Sequence, residues 1–526
     1  MSNKNRDTSN VEVGLMITSI VILIAFIILM MTNAEGTISV ISSFFWSSMS
    51  TLGPFFQLFT FGTFIAALYL AFGKYGKVRL GDCKPEYSTP SYVSMMLLAS
   101  LASSALYWSF TEWAYYYASP GLGMEPYSVL ALENSLSYQF YHWGIVNQAM
   151  YTAVGVSIAY GVYVKKVKSF QTSAVCSAMM GDKVKGKSAI GKVIDFAVIF
   201  GILGGLSSSL GLGVPLAAGA LERSLGIPQT AIVQVGIIVF IACVYAFTSY
   251  LGTKKGMKVL TDITTVISIC VLLFILLAGP TTFILKNIVS SLGHMIDNTV
   301  RMTLFTDPVE NTGFAEGWTI YFQAFYLNYV AMMGIFIAKV SKGRTIKEVA
   351  LATLFGISAG SWIFFGINGS FSISTFLNGQ IDVVGLVNGG AGESVIFDIL
   401  ATLPLGAFMP FIILILIVGF LAPSLDSASL ALAETVTKEG TPKMAVRMVW
   451  CVLLAVIPMS IILTGTSFDA IKYISIIISI PFVVIVTGMQ IGLFKWLAQD
   501  SRNGVHKANI ELQEKEIAAE LAQKNN

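Results

Sequence analysis

Twelve long, mostly apolar stretches recur along this chain and decide what it can become before any single residue is considered. They lie near 14–32, 52–73, 91–117, 138–164, 193–221, 229–251, 257–285, 317–341, 349–376, 404–434, 444–466 and 470–496. About 20 such residues cross a bilayer as a helix, which satisfies its own backbone hydrogen bonds in hydrocarbon. With 55% hydrophobic and only 12% charged residues among 526, the chain cannot hide its apolar surface in water by folding alone. The sequence therefore predicts an all-α integral membrane protein with twelve transmembrane helices.

The charges orient these helices. Of 32 Lys and Arg, 28 fall in the second, fourth, sixth, eighth and tenth loops and in the two tails; Arg223, Lys286, Arg301 and Lys472 alone face the other way. Basic loops stay cytoplasmic, so both termini are expected there. The first run is too long for a signal peptide and lacks its cleavage site. Between the seventh and eighth runs, Lys286 to Arg301 alternates apolar and polar residues at helical spacing, a pattern that suits the membrane surface. The tail after Gln499 is charged and helix-prone, and reads as a solvated surface helix or a regulatory, osmosensing one. Five scattered cysteines and three histidines make no metal-binding spacing, so no metal or cofactor is implied. HExxH is missing as well, which argues against a metal-dependent enzyme.

Some residues at membrane depth need explaining. Small-residue runs in helix three (Ala99 to Ala105) and helix five (Gly204 to Pro215) suit either an unwound, cavity-lining backbone or close helix packing. Glu112 in helix three and Asp426 in helix ten are carboxylates in apolar runs; each could carry a proton, help hold a cation or serve structure. Helix eight draws a stripe of Phe322, Phe325, Tyr326, Tyr329 and Met333 along one face. With Tyr115 of helix three and Trp143 of helix four, these rings could box a quaternary ammonium, which has no N–H to donate and is held by ring faces. Packing, or an interfacial aromatic belt, explains such a stripe equally well.

Several passages together resemble the betaine/choline/carnitine transporter family: RMTLFTDPVENTGFAEGWT followed by GIFIAKVSKGRTIKE, with YWSFTE, GLGMEP, YHWG, SLGLGVPL, LGIPQT and LDSASL. They run in family order from about residue 50 to residue 440. The resemblance implies a leucine-transporter-type fold. A tail (1–13) and two extra helices (14–73) would precede a first inverted five-helix repeat (91–285), an amphipathic surface helix (286–305), a second repeat (317–496) and a cytoplasmic tail (497–526). It also makes the small-residue run of helix three the expected unwound segment beside the substrate.

Carried over by position, the family's substrate cage falls on Tyr115, Trp143, Phe325, Tyr326 and Tyr329. Phe325 and Tyr326 replace paired tryptophans, Gln323 stands where a Trp is usual, and Asn147 with Gln148 replaces Pro-Trp. Met333 matches the methionine that stands in for one sodium ion in sodium-independent antiporters. Pro423 replaces a sodium-ligating threonine, with Ser424 beside it, and Thr264 stands where those antiporters carry an arginine. The function implied is alternating-access transport of a carnitine-, γ-butyrobetaine-, betaine- or choline-like molecule by a sodium-independent exchanger. A sodium- or proton-coupled importer is the alternative, with Ser424, Thr264, Glu112 and Asp426 as coupling candidates; a channel is remoter. The resemblance further implies a homotrimer in the cytoplasmic membrane of a bacterium, with the lipid bilayer as partner and no nucleic acid.

Overall fold

A computed structural model describes residues 11–99, 103–181, 189–250, 256–390, 392–438, 441–464 and 468–524. The described residues form helices and two isolated β-bridges, without a strand. In chain order the α-helices are α1 (Val13–Thr32), α2 (Ala34–Phe72), α3 (Thr89–Leu98), α4 (Ser103–Ala118), α5 (Val129–His142), α6 (Ile145–Tyr163) and α7 (Thr172–Met180). There follow α8 (Ala189–Leu225), α9 (Ala231–Tyr250), α10 (Gly256–Ala278), α11 (Thr281–Leu304), α12 (Tyr321–Val340), α13 (Ile346–Leu351) and α14 (Ser358–Leu377). The last are α15 (Val383–Asn388), α16 (Ser394–Ala401), α17 (Met409–Thr435), α18 (Met444–Thr464), α19 (Phe468–Arg502) and α20 (Val505–Lys524).

Among the described residues, eight helices are long and apolar enough to cross a membrane, and two shorter apolar ones cover 231–247 and 444–460. The pairs α3–α4 and α5–α6 account for the other two of the twelve runs.

One interruption, in helix four, departs from the pattern read in the sequence, and helix five decides between the two readings its small residues allowed. Helix five, α8, runs unbroken through its Gly/Ser segment and Pro215. Its glycines make room for neighbours: a β-carbon on Gly205 would lie 2.9 Å from the Tyr329 ring, and one on Gly201 would lie 2.7 Å from Phe482. Close packing is thus what this small-residue run serves. Helix four instead breaks at Trp143 and Gly144, where α5 ends and α6 begins. A β-carbon on Gly144 would collide with the Phe140 carbonyl oxygen, so glycine permits the tight junction. In helix three, α3 ends at Leu98 and α4 starts at Ser103; Ser100, Leu101 and Ala102, at the centre of the expected unwound segment, lie outside the described residues.

The seventh run ends at Ala278, before Pro280, and α11 starts at Thr281, five residues ahead of the Lys286 read from the pattern. A π-helical turn, Ala315–Ile320, leads into α12, which packs on α6, α8 and α19. Single π-turns within helices are frequent at functional sites.

On the face that carries the tail, the loop after α2 pairs with the loop after α12: Leu80 N donates to Arg344 O at 2.8 Å, and Gly343 N returns to Leu80 O at 2.8 Å. The tail helix α20 then fastens this loop. Asn509 Oδ1 accepts from Arg79 N at 2.9 Å, and Arg79 Nη1 meets Glu516 Oε2 at 2.7 Å.

Candidate functional site

Where α4, α5, α6 and α12 meet, aromatic side chains gather around a buried carboxylate. Trp143, 5% exposed, projects from the α5–α6 junction. Its ring centroid lies 5.5 Å from Phe322, 6.2 Å from Phe325, 6.4 Å from Tyr326 and 4.8 Å from Phe365 of α14. Phe325 continues to Tyr329 at 5.1 Å, and Tyr326 to Tyr151 of α6 at 5.1 Å. The α12 rings share a face because residues three and four apart stack along a helix.

Glu112 fixes the orientation of Trp143. One carboxylate oxygen accepts the indole N–H at 2.9 Å; the other accepts the Tyr116 hydroxyl at 2.5 Å. The Tyr116 oxygen also lies 2.7 Å from His142 Nδ1, and His142 Nε2 lies 3.3 Å from Thr319 Oγ1 of the π-turn. The His142 ring stacks on Phe322 at 4.7 Å. Glu112 and His142 are fully buried. A buried carboxylate is tolerable only when both oxygens are hydrogen-bonded, and here the bonds also aim the ring that lines the cluster.

Of the residues singled out from the sequence, Trp143, Phe325, Tyr326 and Tyr329 come together. Tyr329 is anchored by its hydroxyl, which donates to Gly205 O at 2.6 Å and lies 2.8 Å from Ser209 Oγ. Met333 follows it by one turn, half-buried. Tyr115 sits in an adjoining group, 5.2 Å from Trp318 and 6.1 Å from Trp108, with its hydroxyl 3.1 Å from that of Tyr107. Gln323 stands about 100° round the axis from Phe322, buried, with its amide turned to Tyr141 of α5.

The coupling candidates are dispersed. Thr264 Oγ1 donates to Leu260 O at 2.8 Å, and its side chain presses on Gly419 of α17, leaving no room for a β-carbon there. Ser424 Oγ donates to Phe420 O at 2.8 Å, and Asp426 pairs with Arg447 at 2.6 Å.

Sequence reasoning passed over Tyr151, Phe365 and the role of His142. Tyr151 lies in α6, beyond the break at Trp143–Gly144, so no helical period links it to Trp143. Phe365 comes from α14, and nothing local marks it.

The chain matches the betaine/carnitine/choline family transporter description over residues 14–502. It is 37% identical over 447 residues to a carnitine transporter of Acinetobacter baumannii, covering 84% of this chain and 81% of that one. It is 35% identical over 437 residues to the uncharacterized transporter YeaV of Escherichia coli, covering 82% and 90%. A solved Na+-coupled sialic acid symporter, in a substrate-bound outward-open state, overlaps with a TM-score of 0.47 at 13% identity, covering 84% and 86%. A family match across nearly the whole chain, on a helical membrane fold, places this protein in the betaine/carnitine/choline transporter family.

Proposed function

We propose that the protein carries a quaternary-ammonium or betaine-like small molecule across the cytoplasmic membrane of a bacterial cell by alternating access, as a sodium-independent exchanger. The observation that carries this reading is the ring cluster of Trp143, Phe325, Tyr326 and Tyr329, with centroids 5.1 to 6.4 Å apart. A cation without N–H groups gains from ring faces, and Trp is the strongest of them; Glu112 holds that Trp in place. The relative described as a carnitine transporter supports the substrate class.

Sodium independence draws on the soft thioether of Met333 where a hard cation needs oxygen, and on Pro423, which has no hydroxyl. Around the site we place two N-terminal helices and two inverted five-helix repeats, with both termini cytoplasmic, in a homotrimer. The half-helix ends at Trp143–Gly144 then stand where such transporters present dipoles to a substrate.

Counterflow in proteoliposomes tests this. Labelled carnitine should accumulate against internal γ-butyrobetaine equally with and without Na+. Uptake that needs a Na+ gradient and no internal substrate would overturn exchange. A second reading, proton-coupled import, is favoured by the buried Glu112–Tyr116–His142 chain; uptake driven by a pH gradient alone would select it.

A further inference from the structure

Gln148 of α6 and Tyr326 of α12 meet at the edge of the ring cluster. The amide nitrogen donates to the Tyr326 hydroxyl at 3.1 Å. The amide oxygen, on a residue only 2% exposed, has no partner, and the tyrosine keeps a proton to donate elsewhere. Exchanging the amide's nitrogen and oxygen leaves the same inventory. The phenol would then donate to the amide oxygen, while an amide N–H and a phenol lone pair stay available. In both arrangements at least one spare donor and one spare acceptor stand side by side. They lie next to the rings, since Tyr326 is 6.4 Å from Trp143 and 5.1 Å from Tyr151.

A trimethylammonium group cannot satisfy that pair, because it has neither a donor nor an acceptor. A carboxylate satisfies only the donor. One hydroxyl satisfies both, giving its proton to one partner and accepting from the other. We propose that Gln148 and Tyr326 form a hydroxyl-recognition subsite, which selects ammonium ligands carrying a hydroxyl two carbons from the nitrogen over the same ligands without it. That separation lets the cation lie over a ring face within about 6 Å of its centroid while the hydroxyl reaches the rim of Tyr326. Rings alone do not make this distinction, since they meet the methyl groups that both ligands share. The penalty falls on the ligand that lacks the hydroxyl, because it leaves buried polar atoms unpaired. The subsite rests on the quaternary-ammonium reading above.

The test compares carnitine with γ-butyrobetaine, and choline with ethyltrimethylammonium, each pair differing by one hydroxyl. Dissociation constants are measured for the purified full-length protein. The hydroxylated member should bind about 30-fold tighter, as expected for two hydrogen bonds of about 1 kcal/mol each. The ratio should fall to an intermediate value in Gln148→Leu and in Tyr326→Phe, and to within about twofold when the two are combined. Equal affinities in the wild type overturn the subsite, and that result needs no variant to fold. An unchanged ratio in Gln148→Leu overturns the assignment as well. Binding of all four ligands without preference removes the subsite and leaves the quaternary-ammonium reading standing; binding of none removes both.

Discussion

Glu112 and Asp500 are held by the same kinds of partner in two different surroundings. Glu112 accepts the Tyr116 hydroxyl at 2.5 Å, and that oxygen lies 2.7 Å from a nitrogen of His142. Asp500 accepts the Tyr160 hydroxyl at 2.5 Å, and that oxygen lies 3.0 Å from a nitrogen of His506. The second oxygens differ. Glu112 takes the indole N–H of Trp143, whereas Asp500 takes the Lys165 ammonium at 2.6 Å, with Lys165 still 23% exposed. One carboxylate–tyrosine–histidine set therefore aims a ring into a buried aromatic cluster, and the other ties the end of α19 and the start of α20 to the end of α6. The chemistry is shared; burial and the fourth partner set the task.

Removing the deep carboxylate is the severest way to break this comparison. Glu112→Ala leaves the indole N–H buried without an acceptor, at a cost of about 1–3 kcal/mol, and leaves the Tyr116 hydroxyl with His142 Nδ1 as its remaining partner. A loss of about 2–4 kcal/mol in stability is expected, with transport lowered at least about 100-fold. Denaturation in detergent and counterflow measure the two. A variant with near wild-type stability and transport would sink the assignment of Glu112 as the residue that positions Trp143. Next in size is Trp143→Ala, which keeps the carboxylate but removes the ring. Affinity for a trimethylammonium ligand should fall about 30-fold, matching a desolvated cation–π contact of about 2 kcal/mol. Unaltered affinity would remove the ring cluster from the binding site.

The two regions also differ in how much of them the sequence disclosed. Long apolar runs carry the membrane-spanning helices, because hydropathy is a sum over many residues that no single contact can overrule. The helix-eight stripe was visible for the same reason, as a period of 3.6. The break at Trp143–Gly144 was not, since it depends on a close approach between Gly144 and the Phe140 carbonyl that only the folded backbone reveals. The Gly/Ser run of α8 pointed to unwinding or packing alike, and the packed rings of Tyr329 and Phe482 decide for packing. Partners such as Phe365 for Trp143, or Asp500 for Tyr160, are distant in the chain, and no local pattern predicts them.

Breaking the outer set should cost less. Asp500→Ala removes the acceptor of Tyr160 and the partner of Lys165, yet water can reach the lysine. A loss of about 1–1.5 kcal/mol is expected, which corresponds to roughly tenfold faster hydrogen exchange in α20. Transport should stay within about threefold of wild type. An effect on transport as large as that of Glu112→Ala would erase the distinction between the two sets.

The smallest expected effect comes from acid at the outer set. Burial holds the His506 imidazole below its ordinary pKa; Asp500 opposes that shift and Lys165 adds to it. Tyr160 and Tyr75 supply the remaining contacts, the latter with its ring 5.8 Å away. Because the docked tail disfavours the imidazolium, the proton binds better to the undocked state. Docking is then at full strength above the undocked pKa of about 6.5, and weakens as pH falls from there through the docked value. Hydrogen exchange of α20, corrected for the intrinsic pH dependence of amide exchange, should rise a few-fold between about pH 7.5 and about pH 5.5. In His506→Asn, which cannot take up the proton, that rise should disappear. Protection that strengthens as pH falls would mean that Asp500 outweighs burial, and the outer set would then favour the charged imidazolium.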